Sequence, residues 1–252
     1  MRALGGGLDW FRILRKLPTY RLEPLPRYYS NWRERKLVVN ATTGEVVALV
    51  SDKYLLVQPR KVFAAVLRRV WAHGVRKVRI YWNNSTQFME VVFVKTIEGP
   101  DSAYRWGIRA VNNVAGRRCL AVHLMLWREV CCNDLFLMFG GAMIHVVYNA
   151  RKLRSLTEMR LPRLTKGYLE KLIALNSEVV LSREEALKEL GKFPKYVAYR
   201  ARRLVEVKGG ASRWELANEL SHMATRISKP LRRAQLLEKI SKMLIYPEGR
   251  GR

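Results

Sequence analysis

Between residues 76 and 148 the apolar positions recur mostly in alternation, the two-residue period of a β-strand. In "RKVRIYW" (76–82), Val78, Ile80 and Trp82 fall on one side and Lys77, Arg79 and Tyr81 on the other. "QFMEVVFVKT", "RWGIRAVNN", "RRCLAVHLMLW" and "HVVYNA" continue the run, broken by the turn-rich "NNS", "EGPDS" and "NNVAG". "REVCCNDLFL" (128–137) lies among them and reads either as a strand or as the start of a short buried helix. Upstream, "KLVVNATTGEVVALV" (36–50) sets two β-branched runs around a short turn containing Gly44, which predicts a hairpin.

Helical spacing appears first at residues 60–73. There Val62, Phe63, Val66, Leu67, Val70 and Trp71 share one face, Arg60, Lys61, Arg68 and Arg69 fall mostly elsewhere, and Gly74 supplies the stop. From about residue 151 the helical period takes over. "LTKGYLEKLIAL" is amphipathic, and "SREEALKEL" places Ser182 three residues before Glu185, the pattern of a capping box. "FPKYVAYRARRLVEV" follows and ends at Gly209-Gly210. "SRWELANELSHMATRI" repeats the capping signature with Ser212 and Glu215, and "PLRRAQLLEKISKML" comes last. No repeat at solenoid periods is visible.

The expected fold class is therefore α+β: a β-rich first part with an early helix, then a helical part. Three regions are expected. Residues 1–35, with Pro18, Pro24 and Pro26, read as a basic, aromatic, extended arm. Residues 36–150 form a β-rich core, and residues 151–252 a helical region packed on it or extending it.

Charge narrows the function. The chain of 252 residues carries a formal charge of +26, spread evenly. Residues 1–150 hold 23 Lys and Arg against 10 Asp and Glu, and residues 151–252 hold 24 against 11. A folded protein this basic repels itself unless a polyanion or an anionic surface neutralises it, and nucleic acid is the commonest such partner. No run approaches the ~18 apolar residues that span a bilayer, and the first residues lack a long apolar segment with a small-residue cleavage site. These features point to an intracellular protein, in a host cytoplasm, with virion association left open. Three cysteines suit a reducing compartment, and the adjacent Cys131 and Cys132 are poor disulfide partners.

Candidate chemistry is sparse. The cysteines and His73, His123, His145 and His222 show none of the paired spacings of a zinc site, so neither metal nor cofactor is expected. A metal-dependent nuclease would gather carboxylates around Mg²⁺, and Asp52 and Glu90 are the candidates for that alternative. Glu90 and Lys95 are an odd number of residues apart and point opposite ways on a strand. Neither a phosphate-binding P-loop nor a dinucleotide fingerprint is present.

Basic and aromatic residues together are more informative. "RYYSNWRERK" (27–36) interleaves Tyr28, Tyr29 and Trp32 with Arg27, Arg33, Arg35 and Lys36, a mixture suited to stacking bases and holding phosphates. The same rings could equally pack beneath the sheet. Arg68 and Arg69, then Arg200, Arg202 and Arg203, then Arg232 and Arg233, mark basic helical faces suited to tracking a phosphate backbone. Two helices around Gly209-Gly210 also have the outline of a helix-turn-helix.

Three segments resemble a phage- and plasmid-encoded family of unknown function, the phage/plasmid-like proteins. "VSDKYLLVQPRKVF" is similar to the family's Ser-x-x-Tyr and Val-Gln pattern through Ser51, Tyr54, Val57 and Gln58. "REVCCNDLFL" matches through Arg128, Val130, Cys131, Asn133 and Leu135, with Asp134 departing from the expected Thr or Gly. "SRWELANELSHMA" is similar through Trp214 and Asn218. The resemblance implies a mobile-element origin and a small α+β domain, and brings no activity with it.

The sequence reading is thus a nucleic-acid-binding protein of a virus or plasmid, sequence-tolerant and favouring single strands, with DNA ahead of RNA and an annealing or replication-accessory role in view. A homo-oligomer is left open. The alternatives are the metal-dependent nuclease and a structural or genome-packaging virion protein.

Overall fold

The structure, a computed structural model, describes residues 10–25, 35–99, 102–115, 120–130, 133–138, 144–146 and 166–246. Helix α1 (Trp10–Arg15) leads into strand β1 (Tyr20–Pro24), which pairs antiparallel with β2 (Arg35–Asn40); β2 then pairs with β3 (Val46–Ser51). Gly44, at a φ of 75° that side-chain-bearing residues avoid, makes the turn of the expected hairpin. The arm expected over residues 1–35 is corrected in its described portion. Residues 10–15 are helical and residues 20–24 form an edge strand. Pro24 fits there because it ends that strand, at the sheet edge, where a missing N–H costs little.

Helix α2 (Pro59–Val70) buries Val62, Phe63, Val66, Leu67 and Val70, as its spacing predicts. Trp71 departs from that face. The chain tightens into a 3₁₀ turn at Trp71–His73 and stops at Gly74, so Trp71 turns outward and its ring lies 6.4 Å from that of Trp10. Strands β4 (Val75–Trp82), β5 (Thr86–Glu98), β6 (Ala103–Asn113), β7 (Leu120–Val130) and β8 (Asn133–Met138) follow in that order across the second sheet, and β9 (Ile144–Val146) pairs with β7. In the stretch "REVCCNDLFL" the strand reading prevails: Val130 of β7 pairs with Asn133 of β8. Cys131 and Cys132 lie outside the described residues.

The helical part comprises α3 (Lys166–Glu178), β10 (Val180–Ser182), α4 (Arg183–Gly191), α5 (Lys195–Lys208), β11 (Gly210–Ser212), α6 (Arg213–Thr225) and α7 (Pro230–Ser241). Both expected capping boxes form, with Ser182 and Glu185 opening α4 and Ser212 and Glu215 opening α6. The Ser-Arg-x-Glu pattern recurs after 30 residues, and β10 pairs antiparallel with β11 about Leu181 and Ala211. Strand, capped helix, helix is thus built twice, a two-fold repetition rather than a solenoid. Gly210 belongs to this pairing, because a Cβ there would sit 2.6 Å from the carbonyl oxygen of Leu181.

The chain is α+β, with strands concentrated in its first half and helices in its second. One compact unit holds residues 1–92, 109–122 and 143–160, and the other holds 93–108, 123–142 and 161–252. In the first unit Tyr20, Val38, Val50 and Val114 form an apolar cluster beneath the β1–β3 sheet. In the second, Phe93 and Trp106 meet edge to face at 4.5 Å, and Leu172, Leu190, Val197, Ala201, Leu220 and Ile240 are among the fully buried helical residues.

Candidate nucleic-acid interface

Pro194 caps the start of helix α5, and Gly209 caps its end in the left-handed conformation at φ 73°. Val197, Ala198, Ala201 and Val205 are wholly buried along one face, where the helix packs against α4 and α6. The small side chains of Ala198 and Ala201 keep these helices close. The opposite face is exposed and carries Tyr196, Tyr199, Arg200, Arg203 and Val207, spaced 3, 4, 7 and 11 residues from the first and therefore in one stripe. Tyr199 is 61% exposed and Val207 80%, unusual values for large apolar side chains on a helix whose inner face is so well buried.

A second element completes the patch. Arg232 on α7 places its guanidinium 5.4 Å above the Tyr196 ring, a cation–π contact that orients the ring while leaving the arginine exposed. Arg200 pairs with Glu219 of α6 at 2.7 Å and lies 3.0 Å from Nε2 of His222. Burial, then the neighbouring Arg200 and Arg226, hold the His222 pKa below its usual value, with Glu219 opposing them. That direction favours the neutral imidazole. The patch thus offers aromatic faces and cationic groups beside a histidine.

The structure distributes the sequence candidates unevenly. Arg200 and Arg203 lie in the α5 stripe with Arg232 beside them. Arg202 is half-buried on the flank of the same helix, and Arg233 is half-buried on α7. Arg68 and Arg69 are exposed in the last turn of α2, and Arg35 is exposed on β2. Lys36 donates to the Asp52 carbonyl at 3.1 Å. Arg27, Tyr28, Tyr29, Trp32 and Arg33 lie outside the described residues. The sequence reading singled out the arginines of α5 but missed Lys195, Tyr196 and Tyr199. The signal was there, in tyrosines recurring at helical spacing opposite the Ala198–Ala201–Val205 face.

Residues picked for motif resemblance have structural work. The Gln58 side chain pairs with the backbone of Tyr20 in both directions, donating to its oxygen at 2.6 Å and accepting from its nitrogen at 3.1 Å. Tyr54 donates to the Val114 carbonyl at 2.9 Å. The Tyr20 hydroxyl accepts from Gln87 and donates to the Asn84 carbonyl, each at 2.9 Å, and burial pushes its pKa up to about 12. Trp214 is buried and Asn218 half-buried on α6. Arg128, Cys131 and Asn133 have no described side chains.

The carboxylates of the nuclease alternative do not look like a metal site. Asp52 is exposed in the turn after β3. Glu90 is only 3% exposed, and its carboxylate receives Arg109 from β6 at 2.6 Å and the Tyr81 hydroxyl from β4. Arg79 approaches its other oxygen at 3.9 Å. Among the described residues no group of three or more His, Cys, Asp or Glu is placed to hold a metal ion. Among them, too, no helix is long and apolar enough to cross a membrane. No protein-family model, curated protein or solved structure matches the chain.

Proposed function

We propose that this protein binds nucleic acid, DNA ahead of RNA, mainly through the exposed face of α5 and the flank of α7. One observation carries the reading: a single stripe of two tyrosines and two arginines, with Arg232 beside it, on a chain of net charge +26. Cations placed this way replace counterions along a phosphate backbone, while the rings supply uncharged contact area. A preference for single strands, expected from residues 27–36, rests on side chains outside the described residues and is not carried into the proposal. The virus or plasmid origin likewise remains an expectation from motif resemblance. The nuclease alternative is not favoured by any observation, since Glu90 is already engaged by Arg109 and Tyr81.

Gel-shift titrations of single- and double-stranded DNA and RNA, at two salt concentrations with and without Mg²⁺, test this reading. Four phosphate contacts, from Lys195, Arg200, Arg203 and Arg232, imply a log–log salt slope of about −2.8 to −3.6. Affinity should then fall roughly 50- to 150-fold between 50 and 200 mM salt, without turnover of the nucleic acid. Absence of binding to every nucleic acid, or affinity indifferent to salt, refutes it.

A further inference from the structure

From α4 and α5 we infer that this chain engages double-stranded DNA by laying α5 in the major groove, as the second helix of a helix-turn-helix. The inference rests on the nucleic-acid reading above and specifies its ligand. The sequence outline placed such a motif around Gly209-Gly210, but there the link between α5 and α6 contains strand β11, already paired with β10. The short turn lies one helix earlier. Only Lys192, Phe193 and Pro194 separate α4 from α5, the three- to four-residue spacing that joins the two helices of this motif.

The turn is built to be rigid. The Lys192 and Phe193 amides donate to the Glu189 and Leu190 carbonyls at 3.2 and 3.1 Å, so the last turn of α4 tightens before the chain reverses. The Phe193 ring is buried, with the Lys239 ammonium of α7 5.3 Å above it, and Lys239 also donates to the Lys192 carbonyl. Pro194 then starts α5, its carbonyl accepting the Val197 and Ala198 amides at 2.9 and 3.0 Å. At the far end, the antiparallel β10–β11 pair links the residues just before α4 to those just after α5. Both helices are therefore fixed at each end, and α5 can meet a ligand without reorganising.

Shape then separates the ligands. The α5 stripe runs along the exposed side of a helix, where Tyr199, Arg200, Arg203 and Val207 also line an open depression with Glu219 of α6. A helix about 10–12 Å across fits a B-form major groove about 12 Å wide. From Tyr196 to Val207 the stripe runs about 16 Å along the axis, the rise of roughly five base pairs. Within it, Tyr199 and Val207 offer apolar contact to thymine methyls. Arg200 and Arg203, with Arg232 at the flank, are placed for phosphates. The major groove of A-form RNA is too deep and narrow for such a helix, so duplex RNA should bind worse than duplex DNA.

The test uses the full chain and a short random-sequence DNA duplex, the RNA duplex of the same sequence, and each DNA strand alone, with anisotropy titrations at fixed salt. The wild type should bind the DNA duplex at least tenfold more tightly than the RNA duplex. Tyr199→Ala and Arg203→Ala, both exposed and without a fold to support, should each weaken duplex DNA binding about 5- to 150-fold, with circular dichroism unchanged. Only Arg203→Ala should flatten the salt slope, by about one. Lys77→Ala, on an exposed position of β4 and in the other compact unit, should change duplex affinity less than twofold. Equal affinity for the two duplexes, preference for the single strands, or α5 variants that bind duplex DNA as the wild type does, overturns the groove inference while leaving nucleic-acid binding standing. Wild-type protein that binds none of the four removes both.

Discussion

Replacing Glu90 with Gln should destabilise the protein severely, because the substitution strands a buried guanidinium. Glu90 sits on β5, between Arg109 of β6 and both Tyr81 and Arg79 of β4. Its carboxylate is 3% exposed and Arg109 2%, so water cannot replace the lost charge. Gln could still accept a hydrogen bond from Tyr81, but the arginine charge would remain buried without its anion. Breaking one member of such a pair costs about 3–5 kcal/mol. That is a large fraction of a stability of roughly 5–15 kcal/mol. With a melting shift of about 2–4 °C per kcal/mol for a chain near this size, the melting temperature should fall about 6–20 °C. The assay is thermal circular dichroism at pH 7, with and without EDTA, since a structural carboxylate is indifferent to metal. The decisive control is the double substitution Glu90→Leu with Arg109→Met. Removing both charges for apolar groups of similar volume should recover most of the loss. A single variant that melts with the wild type, or a double variant as unstable as the single, would refute this account of Glu90.

Two further predictions follow from the helical unit. Ser182→Ala and Ser212→Ala should each cost about 1 kcal/mol in urea unfolding, the usual worth of a helix cap. Hydrogen bonds from Ser182 hold the Glu185 carboxyl below its usual pKa; for Glu215 burial pushes upward, but hydrogen bonds from Lys208 and Ser212 outweigh it. The stability these carboxylates add is therefore complete above about pH 4.3–4.5 and is lost as pH falls through their lower folded values, so the acid limb of a pH–stability curve should flatten in the two Ser variants. His222 behaves in the same sense for stability: its folded pKa lies below the unfolded value of about 6.5, so the free protein loses stability as pH falls through that window. Phosphate near Arg200 and Arg226 should reverse the local field, so DNA binding should tighten from pH 7.5 to 5.5 with proton uptake; an unchanged pH dependence in His222→Gln would count against a site there.

The likeness of fold and sequence is closest where the determinant is local. The β2–β3 hairpin follows from two β-branched runs around Gly44, the buried face of α2 from spacing, and the two capping boxes from Ser and Glu three residues apart. Each is decided by residues within a turn or two of one another, so a single chain pattern suffices. The α5 stripe was half legible for the same reason: Arg200 and Arg203 stood out by charge, while Tyr196 and Tyr199 carry no charge to mark them.

Tertiary structure decided the rest, because pairing at long sequence range leaves no periodic trace. The proline-marked segment before residue 25 reads as an arm until β2 offers β1 an antiparallel partner, and Gln58, 38 residues away, closes hydrogen bonds on Tyr20. Glu90 reads as a candidate metal ligand until Arg109, 19 residues on, is brought beside it by the neighbouring strand. The Gly209-Gly210 pair advertises a turn between helices, yet the β10–β11 pairing claims it, and the short turn forms at Lys192–Pro194 instead. By itself the sequence determined α+β character, even positive charge and the local elements. Which cations and rings share one exposed helix face, and which polar groups are spent inside the fold, depended on partners that only the folded chain brings within hydrogen-bond reach.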